Sequence, residues 1–436
     1  MDHQSVMTAI VAIGSIVFIG FFGNLIFHKF RIPDVLILIG LGMVIGPDIL
    51  GKPLGLVTVS TLDGLNQYQD FLLTAALILV LFDGGLSLDV RTVIASMKLS
   101  TLTTVVTLLA EMAIVATILT AFLGMDILLA IVVAAIVGGT SEAVVIPIAN
   151  RMRIKPETKS MLIMESVVTD VLVIVIALTF IQVILIGVLD PIAVGGQLAV
   201  KFLVGAAVGF VAGIAWLYVL QKLQSQPLSY MITIGALFLV AGFVEMSPIN
   251  SSAAMAALMF GLAVGNRKFI RKRLSSISLT LSSDEHIHQF HSEITFFVRT
   301  FFFVYVGLMF RFGSFKLSHL AIGLSIIGII VVVRRLTSLM AYRIGDMDRL
   351  DADALFGLMP RGLATAVLAS MPAALLVGTT IWDKDPAYGP LILNVALIVI
   401  LGTTVLATVF SYWTETNIDK RNARALKMKY VQDAET

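Results

Sequence analysis

The strongest constraint on this chain is how often it stays apolar for the thickness of a bilayer. Residues 161–188, MLIMESVVTDVLVIVIALTFIQVILIGV, are one such run. A helix needs about 20 apolar residues to cross the hydrocarbon core. Lipid admits a spanning backbone only as a helix or a closed barrel. Dividing the sequence at charges, Pro and Gly gives thirteen candidate spans: 7–27, 33–49, 70–89, 101–123, 126–150, 157–187, 197–221, 228–246, 252–266, 290–310, 317–341, 354–379 and 388–414. The 436 residues are 58% hydrophobic and 13% charged, whereas a soluble domain carries about a quarter charged residues. The expected fold is an all-α polytopic membrane protein of about 13 transmembrane helices, embedded in lipid. Residues 415–436 form a short tail, which leaves no room for a soluble domain.

Basic residues orient the bundle. Alternate loops carry Lys29 and Arg31; Arg91 and Lys98; Arg151 to Lys159; Lys222; Arg267 to Arg273; Arg343 and Arg349; and a basic tail. The opposite loops carry only Lys52, Arg311, Lys316 and Lys384. This places the N-terminus outside and the C-terminus in the cytoplasm of a cell membrane. The first run has no preceding basic residue and no small-residue cleavage site, so it reads as a helix and not a signal peptide.

Ionisable residues inside a membrane are costly and mark a pathway or a pair. They are Asp83, Glu111, Glu142, Glu165, Asp170, Arg299, Arg334, Arg335 and Arg361. Lys201 and Glu245 lie near span ends, where side chains snorkel. Two spans are interrupted by helix-weakening residues, VGGTSEAVVIP at 137–147 and GLMPRGLATA at 357–366. If 197–221 is a linker helix, the halves are 7–187 and 228–414, and each half has its fifth helix broken. Breaks at corresponding places point to a transporter site between inverted repeats, where unwound backbone frees carbonyls and helix ends for an ion.

The sixth span completes that site. At about 100° per residue, Ser166 and Asp170 share a face and Glu165 points elsewhere. A carboxylate in a small wet cavity holds either a proton or a cation, and that competition is the chemistry of exchange. Asp170, Ser166, Thr169, Thr140 and Ser141 could supply the oxygens a hard monovalent cation needs; the four hydroxyls could equally make interhelical hydrogen bonds. Glu165 suits a buried pair with an arginine. Glu142 reads either as an ion ligand or as an arginine partner, and Glu111 has no assigned partner. Asp83 reads as a packing or funnel residue. His286, His288 and His291 read as a solvated loop, with a pH sensor as the alternative.

Other chemistries find little support. There is no cysteine, so no thiol nucleophile or disulfide, and the net charge of +2 implies no nucleic-acid partner. No HExxH and no GxGxxG occurs. Neither an enzyme nor a cofactor is expected.

Taken together, TSEAVVIP, ESVVTD, FDGGLSLD at 82–89, FFVRTFFFVYVGL at 296–308, VRRL at 333–336 and PRGLATAVLA at 360–369 resemble the monovalent cation:proton antiporters. They are most similar to the branch of archaeal and bacterial sodium/proton antiporters related to the eukaryotic exchangers. The resemblance runs along nearly the whole chain, in order. It implies a homodimer in which a core domain with crossed, unwound helices moves against a dimerisation domain in an elevator-like motion. It assigns the cation- and proton-binding aspartate to Asp170, a core ion pair to Glu165 and Arg334, and motif charges to Arg361, Asp83 and Arg299. Two positions depart from the family pattern. Thr140-Ser141-Glu142 replaces Thr-Asp-Pro, and Thr169-Asp170 replaces Asn-Asp. One acid where relatives carry a pair implies electroneutral exchange of one sodium (or lithium or potassium) for one proton, and thus a role in pH homeostasis. The alternatives are a potassium/proton antiporter or a regulated potassium efflux pathway.

Overall fold

The computed structural model describes residues 14, 18, 20–22, 34–51, 69–87, 90–187, 191–223, 229–246, 251–267, 269–270, 293, 296, 300–301, 303–308, 310, 313, 315–344, 347–385 and 387–435. Among them there is helix and no strand. The helices are α1 (Asp34–Ile45, followed by a π turn at Pro47–Gly51), α2 (Gln69–Ser87), α3 (Val90–Leu123), α4 (Ile127–Ile136), α5 (Glu142–Arg151), α6 (Pro156–Ile186), α7 (Pro191–Lys222), α8 (Ser229–Met246), α9 (Ala253–Gly265), α10 (Leu317–Ile344), α11 (Arg349–Gly357), α12 (Leu363–Leu375) and α13 (Tyr388–Glu435). These labels do not count membrane crossings, since α4 with α5 and α11 with α12 are two broken helices. Among the described residues, five stretches are long and apolar enough to cross a membrane: Leu102–Leu123, Pro156–Ile186, Leu203–Lys222, Leu317–Ile344 and Tyr388–Asn417.

Several expected boundaries move, each for a local reason. The stretch at 90–100, expected as a loop bearing Arg91 and Lys98, is the start of α3. No Gly or Pro interrupts residues 90–123, so nothing stops the helix at the edge of the apolar run. The tail likewise continues α13 to Glu435. α7 begins at Pro191, whose fixed φ and missing N–H suit a first helical position. The breaks are shorter than the motifs suggested, covering 137–141 and 358–362.

The chain divides into two compact units, each drawing on both halves of the sequence: residues 1–21, 38–95 and 182–311, and residues 22–37, 96–181 and 312–436. In the first unit α9 packs against both α7 and α2. Gly205, Gly209 and Gly213 recur every four residues along α7 and face Ser252, just ahead of α9, and Ala256 and Phe260 within it, the small-residue spacing that lets membrane helices approach closely. A Cβ on Gly209 would overlap the Ala256 backbone, and one on Gly261 would overlap the Phe82 carbonyl of α2. Glu245, exposed in the last turn of α8, also serves a neighbouring helix. Its Oε2 accepts the Ala253 N–H at 3.1 Å, beside Ser252, whose Oγ accepts the Met255 N–H at 3.2 Å, so both cap the start of α9.

In the second unit α13 packs against α10, α11 and α12. Gly323 of α10 faces Ile398, Gly402 of α13 faces Ile327, and Phe356 meets Phe410 edge-on at 4.8 Å. α3 ends on Gly124, at φ +62°, whose N–H takes the Thr120 carbonyl at 3.1 Å. This is the left-handed cap that glycine adopts without strain. Asp126 Oδ1 then accepts the Leu128 N–H at 2.9 Å and opens α4.

Candidate functional site

The second unit holds both breaks. The first, Val137-Gly138-Gly139-Thr140-Ser141, consists of weak helix formers whose side chains are absent, branched or compete for backbone hydrogen bonds. The second, Leu358-Met359-Pro360-Arg361-Gly362, contains a proline that can neither donate nor tolerate the carbonyl four residues earlier. The two stretches tie to each other. The Ser141 N–H donates to the Pro360 carbonyl at 2.7 Å. Gly362 lies so close to Ser141 that a Cβ there would overlap its side chain. The Arg361 N–H donates to Thr403 Oγ1 of α13 at 2.9 Å, and the Thr140 N–H to Thr169 Oγ1 of α6 at 3.1 Å.

A helix that stops inside a membrane leaves carbonyls open at its C-terminal end, where the dipole is negative. Each broken helix meets this with an arginine. Arg361 donates from Nε to the Val137 carbonyl at 2.7 Å, just past α4. Arg334 of α10 donates from Nε to the Leu355 carbonyl at 2.8 Å and from Nη2 to the Leu358 carbonyl at 3.1 Å, at the end of α11. Each arginine is in turn paired with a glutamate. Arg334 meets Glu165 through Nη1 and through Nη2, the latter at 2.9 Å, a bidentate arrangement. Arg361 meets Glu111 of α3 through Nη2. All four side chains are buried. The expected pair, Glu165 with Arg334, is therefore in contact, and Glu111 acquires the partner that sequence could not name.

Asp170 is handled differently. It is 9% exposed and belongs to neither ion pair. Its carboxylate takes the backbone N–H of Glu142, at the start of α5, and lies within electrostatic reach of Arg361. Gly139 is beside it, so close that a Cβ at that position would come within 3.3 Å of Asp170 Oδ1. A carboxylate at a helix N-terminus sits where backbone N–H groups and the dipole favour negative charge. Thr140, Ser141, Glu142, Ser166 and Thr169 are buried too. Thr140 and Thr169 share a hydroxyl contact of 3.0 Å, Thr169 Oγ1 also donates to the Ser166 carbonyl at 3.1 Å, and Ser166 Oγ to the Ile163 carbonyl at 2.9 Å. With its own hydrogen on the Ser166 carbonyl, Thr169 Oγ1 accepts from both the N–H and the hydroxyl of Thr140, which fills it, whereas the Thr140 and Ser166 hydroxyl oxygens, used here as donors, keep acceptor capacity.

Asp83 lies on α2, in the first unit. Arg299, His286, His288 and His291 lie outside the described residues. Arg335, next to Arg334, pairs with Asp353 at 2.9 Å and rests over the Phe356 ring at 5.2 Å, a half-exposed anchor. Thr403, which receives the Arg361 N–H, carried no signal in the sequence beyond being a hydroxyl in an apolar run.

The transmembrane sodium/hydrogen exchanger family matches residues 14–413. Among curated proteins the chain is similar to the K(+)/H(+) antiporter NhaP of Alkalimonas amylolytica, with 25% identity over 99% of this chain and 69% of that protein. It is also similar to the probable Na(+)/H(+) antiporter 2 of Methanocaldococcus jannaschii, with 28% identity over 56% of this chain and 57% of that protein. Among solved structures, the sodium proton antiporter MjNhaP1 of Methanocaldococcus jannaschii at pH 8 superposes with a TM-score of 0.77, at 20% identity, over 94% of this chain and 99% of that one. Its electron-microscopy structure gives 0.72, over 96% and 98%. At that identity the superposition speaks for the fold, and the match along residues 14–413 speaks for descent: this chain belongs to the sodium/hydrogen exchanger family.

Proposed function

We propose that this protein is a secondary antiporter that exchanges one monovalent cation for one proton, with Asp170 binding cation and proton in turn. The observation that carries the reading is the isolation of Asp170. The two buried arginines at the helix ends, Arg334 and Arg361, are committed to glutamates and helix-end carbonyls, which leaves this buried carboxylate to be neutralised by a mobile ion. Hydroxyls of Ser166, Thr140 and Ser141 and carbonyls of the break at 137–141 supply further oxygens, as a hard cation requires, and Thr169, whose hydroxyl holds Thr140, joins them by exchanging that bond for the ion. Glu142 adds a second carboxylate in the first turn of α5. Glu165 and Arg334 act as scaffold.

Sodium is the first candidate cargo. Potassium is the second, because one similar protein is named a potassium/proton antiporter. The chain works in this reading as a homodimer in the cell membrane, N-terminus outside and C-terminus in the cytoplasm. Its two halves act as inverted repeats, and a core moves against a dimerisation domain in an elevator-like cycle. Purified protein in liposomes under a pH gradient tests the chemistry. Asp170→Asn abolishes cation-dependent proton movement; full exchange in that variant removes Asp170 from the mechanism. A lithium, sodium and potassium series in the same liposomes, repeated with Glu142→Gln, identifies the cargo and shows whether Glu142 helps select it.

A further inference from the structure

Glu111 is a buried acid that the exchange chemistry above does not use. Its carboxylate pairs with Arg361, and both members act electrostatically on Arg334 and Glu165 as well. The four side chains form a frame of two acids and two arginines whose charges cancel. Asp170 stands outside the frame but within reach of one member, Arg361. Arg361 cannot leave: its Nε is held by the Val137 carbonyl at 2.7 Å and its backbone N–H by Thr403 at 2.9 Å.

Resting on the reading of Asp170 as the cation-binding carboxylate, we propose that Glu111 is a positioning residue for cation affinity. By neutralising a fixed arginine, it keeps Arg361 from becoming the counter-charge of Asp170. Without Glu111 the guanidinium charge would be uncompensated in a medium of low dielectric, where unit charges interact across many ångströms. It would attract Asp170 and repel the arriving cation. The effect falls on binding and leaves the Asp170 carboxylate itself untouched.

Removing either partner's charge has the opposite sign. Glu111→Gln keeps the shape and removes the negative charge, so KM for the transported cation rises, on the order of tenfold for one uncompensated charge at such range. Arg361→Gln leaves Glu111 as an extra negative charge, so KM falls, even though the loss of the tie to Val137 lowers kcat. Glu111→Asp keeps the charge, and its KM stays close to wild type. The measurement is initial exchange rate against sodium or potassium chloride in liposomes, normalised to reconstituted protein. A role in folding alone would lower the amount of active protein without moving KM in two directions. The proposal is overturned by an unchanged KM in Glu111→Gln, by the same sign in both charge-removing variants, or by failure of both to assemble. Asp170→Asn run alongside separates the two readings. Exchange surviving there overturns the parent reading, whereas a dead Asp170→Asn beside an unmoved Glu111→Gln overturns this one alone.

Discussion

Glu165 and Asp170 stand five residues apart on one helix and meet opposite demands. The helical repeat separates them by roughly 140°, and that much was legible in the sequence. What each one meets was not legible in helical spacing: the partner of Glu165 came only through the family resemblance, and the Glu142 N–H against Asp170 did not come at all. A buried ion pair adds little net stability when formed, because desolvation offsets attraction, but removing one partner costs about 3–5 kcal/mol. Arg334 also closes two helix-end carbonyls. Glu165→Gln therefore leaves a buried guanidinium half-satisfied, and the expected loss is about 3–5 kcal/mol, read as a lower unfolding temperature in detergent. Arg334→Lys moves the same way, since one ammonium cannot reproduce the planar fork. Unchanged unfolding temperatures in both would mean that the pair does not hold the core. Glu111 shows where sequence reading ends. An acid alone in an apolar span demands a counter-charge, but its partner lies 250 residues away, and no local pattern encodes which of several arginines it is.

At the scale of elements, Gly and Pro located both breaks, because their effect on a helix is local. Each break is nevertheless shorter than those residues imply. Helix resumes at Glu142, whose acidic side chain suits a first turn, and Pro147 sits inside α5. That arginines would close the C-terminal ends of α4 and α11 could not be read beforehand, since it depends on where those helices stop. Small-residue spacing on α7 was present in the sequence, but spacing alone does not say which neighbour it faces. It faces α9, which also meets α2 on another side. Gly261→Ala forces α9 off the Phe82 carbonyl, with an expected loss of about 1–3 kcal/mol from overpacking, measured by thermal unfolding. Gly235→Ala on α8, where a Cβ would meet nothing within 4 Å, serves as the comparison and shows no loss. Equal behaviour of the two would rule out a tight α9–α2 contact.

At the scale of the whole molecule, the apolar runs alone were enough for an all-helical membrane protein. The thirteen spans are a reading of sequence; among the described residues five stretches have the length and apolar character to cross a bilayer. The sequence halves do not coincide with the compact units, each of which is assembled from segments of both halves. Hydropathy follows chain order, whereas compactness follows contacts made across it. The site residues from 111 to 170 and from 334 to 361 lie in one unit for this reason.

The ties at the two breaks have a consequence for time as well as for shape. The N–H groups of Thr140, Ser141 and Arg361 lie outside any helix, yet each ends on a buried oxygen. Amides of irregular segments usually trade their hydrogens for solvent quickly, because little must open to expose them. Exposing these three requires the breaks to separate from each other, from α6 and from α13. In deuterated buffer their exchange should therefore be as slow as that of the apolar helix interiors. The interrupted stretches would then keep time with the core of the fold, and not with its loops.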